Sequence, residues 1–400
     1  MSEGDEKPMG TRLPREVWVL AIVGFLIAVG FGVMSPVLPI YARTFGVSGF
    51  LAGLVISSMS VLRLVSMPPS SRLMRWVGPR EMAILGCVLV ALTTFMTGIA
   101  DTYFGLLLWR GLTGVGSAMY GVSSMALLFA AAPPHMRGRA SSLSGGGFVL
   151  GGMAGPALGG LIADISMQAP FFFYAVTMLL GGMVVMILLP RTPTQQREQM
   201  RDQTLGLTDL IKDSRFRAAM VVNFATHWQS FGVRSLLVPL FVVESLTMTT
   251  TWVGIAFTLA AITQALTLHL VGTGTDRLGR RFMLIAGGIT TASASIGLAL
   301  TGSYVGLVLL MCIYSVGASA TLSASQAMLA DIVPVSASSG IAAYQMSGDI
   351  GLILGPMIAG FVLDALSLSW AWVLGALIIS MGVVMCWFTP KNPSSISNTD

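Results

Sequence analysis

Charge is scarce in this chain. Of 400 residues only 10% are Asp, Glu, Lys or Arg, against about 25% in a typical soluble domain. A water-facing surface cannot be assembled from so few charges, which excludes an ordinary soluble domain. Cysteine is scarcer still: Cys87, Cys312 and Cys386 are isolated within apolar runs. They show neither metal-ligand spacing nor an even-numbered disulfide framework, and read as small packing residues. The three histidines, His135, His227 and His269, lie in different segments, with no Ser/His or Cys/His arrangement beside them. An enzyme of the bilayer would need a nucleophile and a base within hydrogen-bond reach, so no enzymatic activity, metal or cofactor is expected. A G-x-x-x-x-G-K-[ST] phosphate loop is missing, which removes ATP as the evident energy source. No cleavable signal peptide is evident, because the first apolar run is long and ends in prolines and Arg43. The short tails leave no room for the appended signalling domain that a sensor would carry.

What the chain has in abundance is apolar sequence: 54% of residues are hydrophobic and the mean hydropathy is +0.81. Apolar runs fall at 17–42, 50–71, 82–100, 103–131, 141–165 and 170–190, and resume at 218–243, 250–272, 282–301, 303–331, 339–364 and 370–389. Each is long enough to cross a hydrocarbon core of about 30 Å. Each must be a helix, because a lipid-exposed strand or coil would leave backbone groups unsatisfied. The expected architecture is an all-α membrane protein of twelve transmembrane helices. It divides into a tail (1–16), a six-helix bundle (17–190), a linker (191–217), a second six-helix bundle (218–389) and a tail (390–400).

A net charge of +5 and an isoelectric point near 9.4 are not by themselves the mark of a nucleic-acid partner, because the basic residues sit in short loops. Even-numbered connections and both tails hold Arg72, Arg75, Arg80, Arg137, Arg139, Arg191, Arg197, Arg215, Arg217, Arg277, Arg280, Arg281 and Lys391, among others. The odd-numbered connections hold Arg43 and otherwise carry Asp101, Asp164, Glu244 and Asp364. The positive-inside rule then places both termini in the cytoplasm of a plasma (inner) membrane. No nucleic-acid partner is expected. The partners are the bilayer, a small-molecule substrate and protons, and the expected state is a monomer.

The two sides of the linker repeat. Pro39 and Pro239, Asp164 and Asp364, and the segments Gly152–Gly160 (GMAGPALGG) and Leu352–Gly360 (LILGPMIAG) are each about 200 residues apart, as are Arg75–Arg80 (RWVGPR) and Asp276–Arg281 (DRLGRR). Shared apolar composition does not produce four landmarks at one offset. An even number of helices per half makes the repeats parallel, related by an axis along the membrane normal.

At these residues the chain resembles the major facilitator superfamily, and within it the twelve-helix drug:proton antiporters. Gly272–Arg281 (GTGTDRLGRR) fits the family's G-x-x-x-D-R-x-G-R-R/K loop at every fixed position. Arg110–Ala118 (RGLTGVGSA) resembles the R-x-x-x-G-x-G-x-A motif of helix 4. Gly151–Gly160 (GGMAGPALGG) matches the core of the antiporter motif of helix 5. The resemblance implies two pseudo-symmetric six-helix bundles, the major facilitator fold, working by alternating access. It also implies a latch on the cytoplasmic side, for which the candidates are Asp276, Arg277, Gly279 and Arg280. The first-half copy of the loop departs from the pattern: Arg75 stands at the acidic position and Ser71 at the first glycine. An arginine is not favoured near the positive end of a helix. The latch is therefore expected to rest on Asp276 facing Ser141 and Ser142, with Arg75 pairing instead with Asp331. The antiporter motif supplies hinge candidates Gly151, Gly155, Pro156, Gly159 and Gly160, with Gly355 and Pro356 as their repeat, together with Gly351 and Gly360. Missing bulk and a missing backbone donor let such helices bend and approach neighbours closely.

Ionisable residues inside a membrane are costly and mark function. Those available are Arg63, Arg110, Arg234 and Asp349, joined by His227 and His269 as titratable groups. At about 1.5 Å per residue, Arg63 in helix 2 and Asp349 in helix 11 lie at similar depths, and the resemblance sets those helices against each other. An Arg63–Asp349 pair across the interface is the expected place for proton coupling, with Arg110 and His227 as further candidates; a purely structural pair is the competing reading. The resemblance assigns Arg110 to proton coupling as well, but helix 1 carries no acid for it to tune, so a positional role against helix 1 stands beside that one. His269 lies near the end of helix 8 and reads as an interfacial side chain. On helix 7, Asn223, His227, Ser230 and Arg234 share one side of a 3.6-period helix. The resemblance points that stripe, with Arg110, at a central substrate cavity; mutual satisfaction within the bundle is the alternative. The expected function is proton-coupled export of small, lipophilic organic compounds. The alternative is an organic anion, a carboxylate, phosphate, sulfonate or siderophore-like metabolite, held by a basic cavity.

Overall fold

A computed structural model describes residues 13–132, 136–190, 207–332 and 338–388. Among these the chain is helical, and eleven helices are long and apolar enough to cross a membrane. The first span, α1, is Arg15–Met34 continued by Leu38–Arg43. It is followed by α2 (Gly49–Val77), α3 (Pro79–Gly98), α4 (Tyr103–Ala131), α5 (Arg137–Ile165) and α6 (Ala169–Leu188). The second half holds α8 (Thr250–Leu278), α9 (Arg280–Leu300), α10 (Tyr304–Ile332), α11 (Ser338–Ala365) and α12 (Leu368–Trp387). The twelfth span, α7, does not read as one regular helix. It runs as Ser214–His227, a π turn Trp228–Val233, Arg234–Leu240 and a second π turn Phe241–Ser245. The linker expected over 191–217 contains a short helix, Leu207–Lys212, and gives way to α7 at Ser214; residues 191–206 lie outside the described residues.

Neighbours repeat between the halves. Within the first half α1 packs on α5 and α6, α4 on α2 and α3, and α3 on α6; in the second, α7 packs on α11 and α12, α10 on α8 and α9, and α9 on α12. Two further pairings, α2 with α11 and α5 with α8, join the halves. This is the pseudo-twofold arrangement that the 200-residue repeat predicts.

The repeated loops show why their sequences recur. Gly78 (φ 100°) ends α2 and starts α3, and Gly279 (φ 89°) does the same between α8 and α9. A left-handed backbone at that corner favours glycine. The arginine two residues on then closes the end of a neighbouring helix. Arg80 donates to the carbonyls of Met186 in the last turn of α6 and of Leu189 (2.7 Å) just beyond it, and Arg281 donates to the Trp387 carbonyl at the end of α12. Cations at helix C-termini satisfy carbonyls that have no partner in the helix and meet the favourable end of the dipole. Both arginines thus act within their own half.

Candidate functional site

The two halves are fastened at the face opposite the one where the described chain ends (Leu13 and Phe388). At that opposite face each half offers a carboxylate to the first turn of a helix in the other. Asp164, at the end of α5, accepts from the backbone N–H of Thr250 (3.0 Å) and Thr251 (3.3 Å) and from both hydroxyls (2.5 Å each). Asp364, at the end of α11, accepts from the N–H of Gly49 and Phe50, 2.8 Å each. A carboxylate on the free donors of a helix N-terminus contributes ~0.5–2 kcal/mol. Arg43 adds an ion pair to Glu244 at 2.7 Å. With both side chains a third or more exposed, it contributes about 0–1 kcal/mol. In sequence these acids served only as topology markers. The signal that could have found them is the recurrence of an acid at the end of α5 and of α11, each opposite a Thr- or Gly-rich helix start.

Moving inward, the glycine motifs set the spacing. A methyl placed on Gly53 of α2 would lie 2.1 Å from the Pro356 carbonyl oxygen of α11, and one on Gly254 of α8 would lie 2.3 Å from that of Pro156 in α5. Gly160 and Gly360 meet the starts of α8 and α2 as closely. Gly151, Gly155 and Gly159 face α1, and Gly351 and Gly355 face α7. Thus α5 and α11 each turn one glycine edge to their own half and another to the opposite half. Of the hinge candidates, Pro156, Gly160 and Pro356, with Gly360, lie where the halves meet, and the others pack within their own half.

At mid-depth Ser57 of α2 donates to the Ile353 carbonyl of α11 at 2.6 Å, and a turn and a half further along Arg63 forms an ion pair with Asp349. The expected pair is present. Its acid side chain is 7% exposed and its arginine 31%, so the carboxylate is enclosed while the guanidinium keeps an open flank. His227 lies alongside: its ring packs on Gly348, and its Nδ1 donates to the Asn223 carbonyl at 2.9 Å. That leaves Nε2 as the free acceptor of the neutral ring.

The helix 7 stripe does not act as a unit. Asn223 is withdrawn from any cavity: it is 2% exposed, and its Nδ2 donates to the Tyr344 carbonyl (2.7 Å) and the Ser347 hydroxyl (3.2 Å) of α11. Ser230 is buried too, paired with the Tyr314 hydroxyl of α10 at 2.8 Å. Asn223 departs from the substrate-facing reading and Ser230 follows the alternative of satisfaction within its own bundle, since a buried polar group goes to whatever partner that bundle offers. Arg234 remains half-buried. Its Nε donates to the Ser230 carbonyl (3.2 Å), and its guanidinium carbon stands 5.6 Å from the Phe257 ring centroid and 5.3 Å from that of Tyr314. Each such contact is worth ~0.5–2 kcal/mol. Arg110, 3% exposed with a partnerless Nε, lies beside Tyr174 of α6.

The latch expectation is corrected in one respect. Asp331 pairs with Arg280 of its own half, and Arg75 is exposed. The end of α10 and the start of α9 are brought together by the α9–α10 packing, so the partner of Asp331 comes from its own half. Arg277 and Gly279 are exposed in the same loop. The side chains of Asp276, Ser141, Ser142 and His269 lie outside those described, as does His135. Small hydroxyls of Thr226, Thr291 and Thr321 line a pocket between α7, α9, α10 and α12 with Ser230 and Tyr314 on its wall. It lies inside one bundle, away from the Arg63–Asp349 pair.

Comparison with known proteins agrees with this geometry. The chain is 24% identical to the uncharacterized MFS-type transporter MJ1560 of Methanocaldococcus jannaschii, over 90% of this chain and 94% of that one. It is also 24% identical to multidrug resistance protein 1 of Bacillus subtilis, over 92% and 95%. Among solved structures, a bacterial homolog of the human lysosomal transporter Spinster, inward-facing and occupied, superposes with a TM-score of 0.80 at 16% identity, covering 94% of this chain and 97% of that one. The nucleoside transporter NupG superposes with a TM-score of 0.76 at 15% identity, covering 93% and 99%. The model of the Major Facilitator Superfamily matches residues 20–233 and 219–400, and the chain belongs to that family of membrane transporters.

Proposed function

We propose that the chain is a proton-coupled antiporter that exports small, lipophilic organic compounds by alternating access, with both termini in the cytoplasm. The observation that carries the coupling is the Arg63–Asp349 ion pair, an enclosed carboxylate whose counter-charge sits on the other half. On this reading the structure represents the inward-facing state, with its outer face fastened by Asp164, Asp364 and the Arg43–Glu244 pair. Parting α2 from α11 takes Arg63 from Asp349. A carboxylate left alone in the membrane is costly, and a proton from the outside is the alternative partner. When the outer face closes again, Arg63 returns, the carboxylate regains its ion pair, and the proton leaves to the cytoplasm. Substrate moves outward on the half-cycle that precedes proton uptake. His227, with Nε2 open beside the pair, is placed to pass the proton on. The multidrug resistance protein among the relatives supports a lipophilic substrate.

The test is Asp349→Asn in proteoliposomes. The variant is expected to lose uphill transport on an imposed pH gradient while it still exchanges substrate down a concentration gradient. Retained uphill transport contradicts the coupling role of this acid.

A further inference from the structure

We propose that Arg234 anchors the acidic group of the transported molecule, so that the substrate is an organic anion with an apolar, aromatic-sized body. This rests on the alternating-access export proposed above and narrows its substrate class. The π turn prepares the side chain. The backbone N–H of Arg234 reaches back to Gln229 rather than to Ser230, and the Nε of the same residue donates to the Ser230 carbonyl. That bond fixes the guanidinium plane. Phe257 of α8 and Tyr314 of α10 then hold it from two sides.

What the site lacks is a counter-charge. Among the described residues the carboxylates within the spans are placed elsewhere: Asp349 pairs with Arg63, Asp331 with Arg280, Glu81 with Arg80 and Glu244 with Arg43, Asp164 and Asp364 sit on helix starts, and Glu16 lies in the first turn of α1. Among the described residues the one hydrogen bond of Arg234 is made by Nε, and neither terminal nitrogen has a partner there. Two aromatic contacts do not match the stabilisation that an ion pair gives a cation in a low-dielectric site. The unused edge is a planar fork suited to two parallel hydrogen bonds from a carboxylate or sulfonate. Phe231, 45% exposed one turn earlier on α7, and the Phe257 ring offer apolar surface beside it. Arg110, also without an ion pair among the described residues, is 3% exposed and too enclosed to receive a ligand.

The experiment is isothermal titration of the purified full-length protein with three probes of one shape: 2-naphthoate, 2-naphthamide and 2-naphthylmethylammonium. The wild type should bind the carboxylate at least about tenfold more tightly than the amide, and the ammonium least of all. In Arg234→Gln the carboxylate should fall to the affinity of the amide, whose own binding is unchanged and reports an intact cavity. Arg234→Lys, which keeps the charge without the fork, should retain part of the preference and stands in if the glutamine variant does not fold. Asp349→Asn should keep the full preference while losing proton-driven transport, which separates failure of the anchor from failure of the coupling reading. A wild type that does not bind the carboxylate, or binds the amide or ammonium as tightly, overturns the proposal. So does a preference that survives in Arg234→Gln.

Discussion

Asp349 and Arg63 sit on different halves, and neither has another described ion-pair partner. Their energetics therefore bear on function and stability together. Removing one member of an enclosed pair leaves an uncompensated charge, whereas removing both leaves none. Arg63→Met is expected to destabilise the protein by ~3 kcal/mol, read as a lowered Tm in detergent, and Arg63→Met/Asp349→Leu to recover most of that loss. If the double variant is as unstable as the single one, the pair is not the coupled unit described here. The pair was legible in sequence because intramembrane charge is rare, the two residues fall at matching depths, and the family resemblance sets helix 2 against helix 11. The partners of Asn223 and Ser230 were not. Periodicity tells which residues share a side of a helix, but not whether that side meets a cavity or a hydroxyl of α10 or α11.

At the scale of elements, the close passage of α5 past α8 and of α2 past α11 sets how the halves can move. Gly254 and Gly53 lie where any side chain would strike a proline carbonyl of the opposite half. Gly254→Val is expected to keep the outer face from closing, because the larger residue penalises the closed state alone and shifts the population. A cysteine introduced at Ser57, buried in that interface, should then react with an impermeant maleimide from outside roughly tenfold faster than in the otherwise unaltered protein. Unchanged labelling contradicts the role given to this crossing. The motif glycines of α5 announced a packing device. Their counterparts Gly53 and Gly254 belong to no recognised motif, and only the pairing of α2 with α11 and α5 with α8 gives them meaning. The break in α7 was equally hidden, since a π turn leaves apolar composition untouched and shows only in the hydrogen bonds.

For the whole molecule, the internal repeat was the most informative property of the chain. With the twelve apolar runs it set two halves and an axis, and the structure adds which contacts are duplicated across them. Arg80 and Arg281 close helix ends in their own halves, while Asp164 and Asp364 bridge to the other half. Loops that look alike in sequence thus divide into those that hold a half together and those that fasten the two. The rocking proposed above needs only the second kind to part, a few hydrogen bonds to helix starts and one exposed ion pair. The central claim, that closing one face opens the other with the Arg63–Asp349 pair near the pivot, is tested most directly by pulsed electron spin resonance. Distances are measured between spin labels at positions 46 and 247 on one face, and at 76 and 278 on the other, in wild type and Asp349→Asn. The account predicts that the variant lengthens the first distance and shortens the second. Two distances that both stay fixed, or that lengthen together, would contradict it.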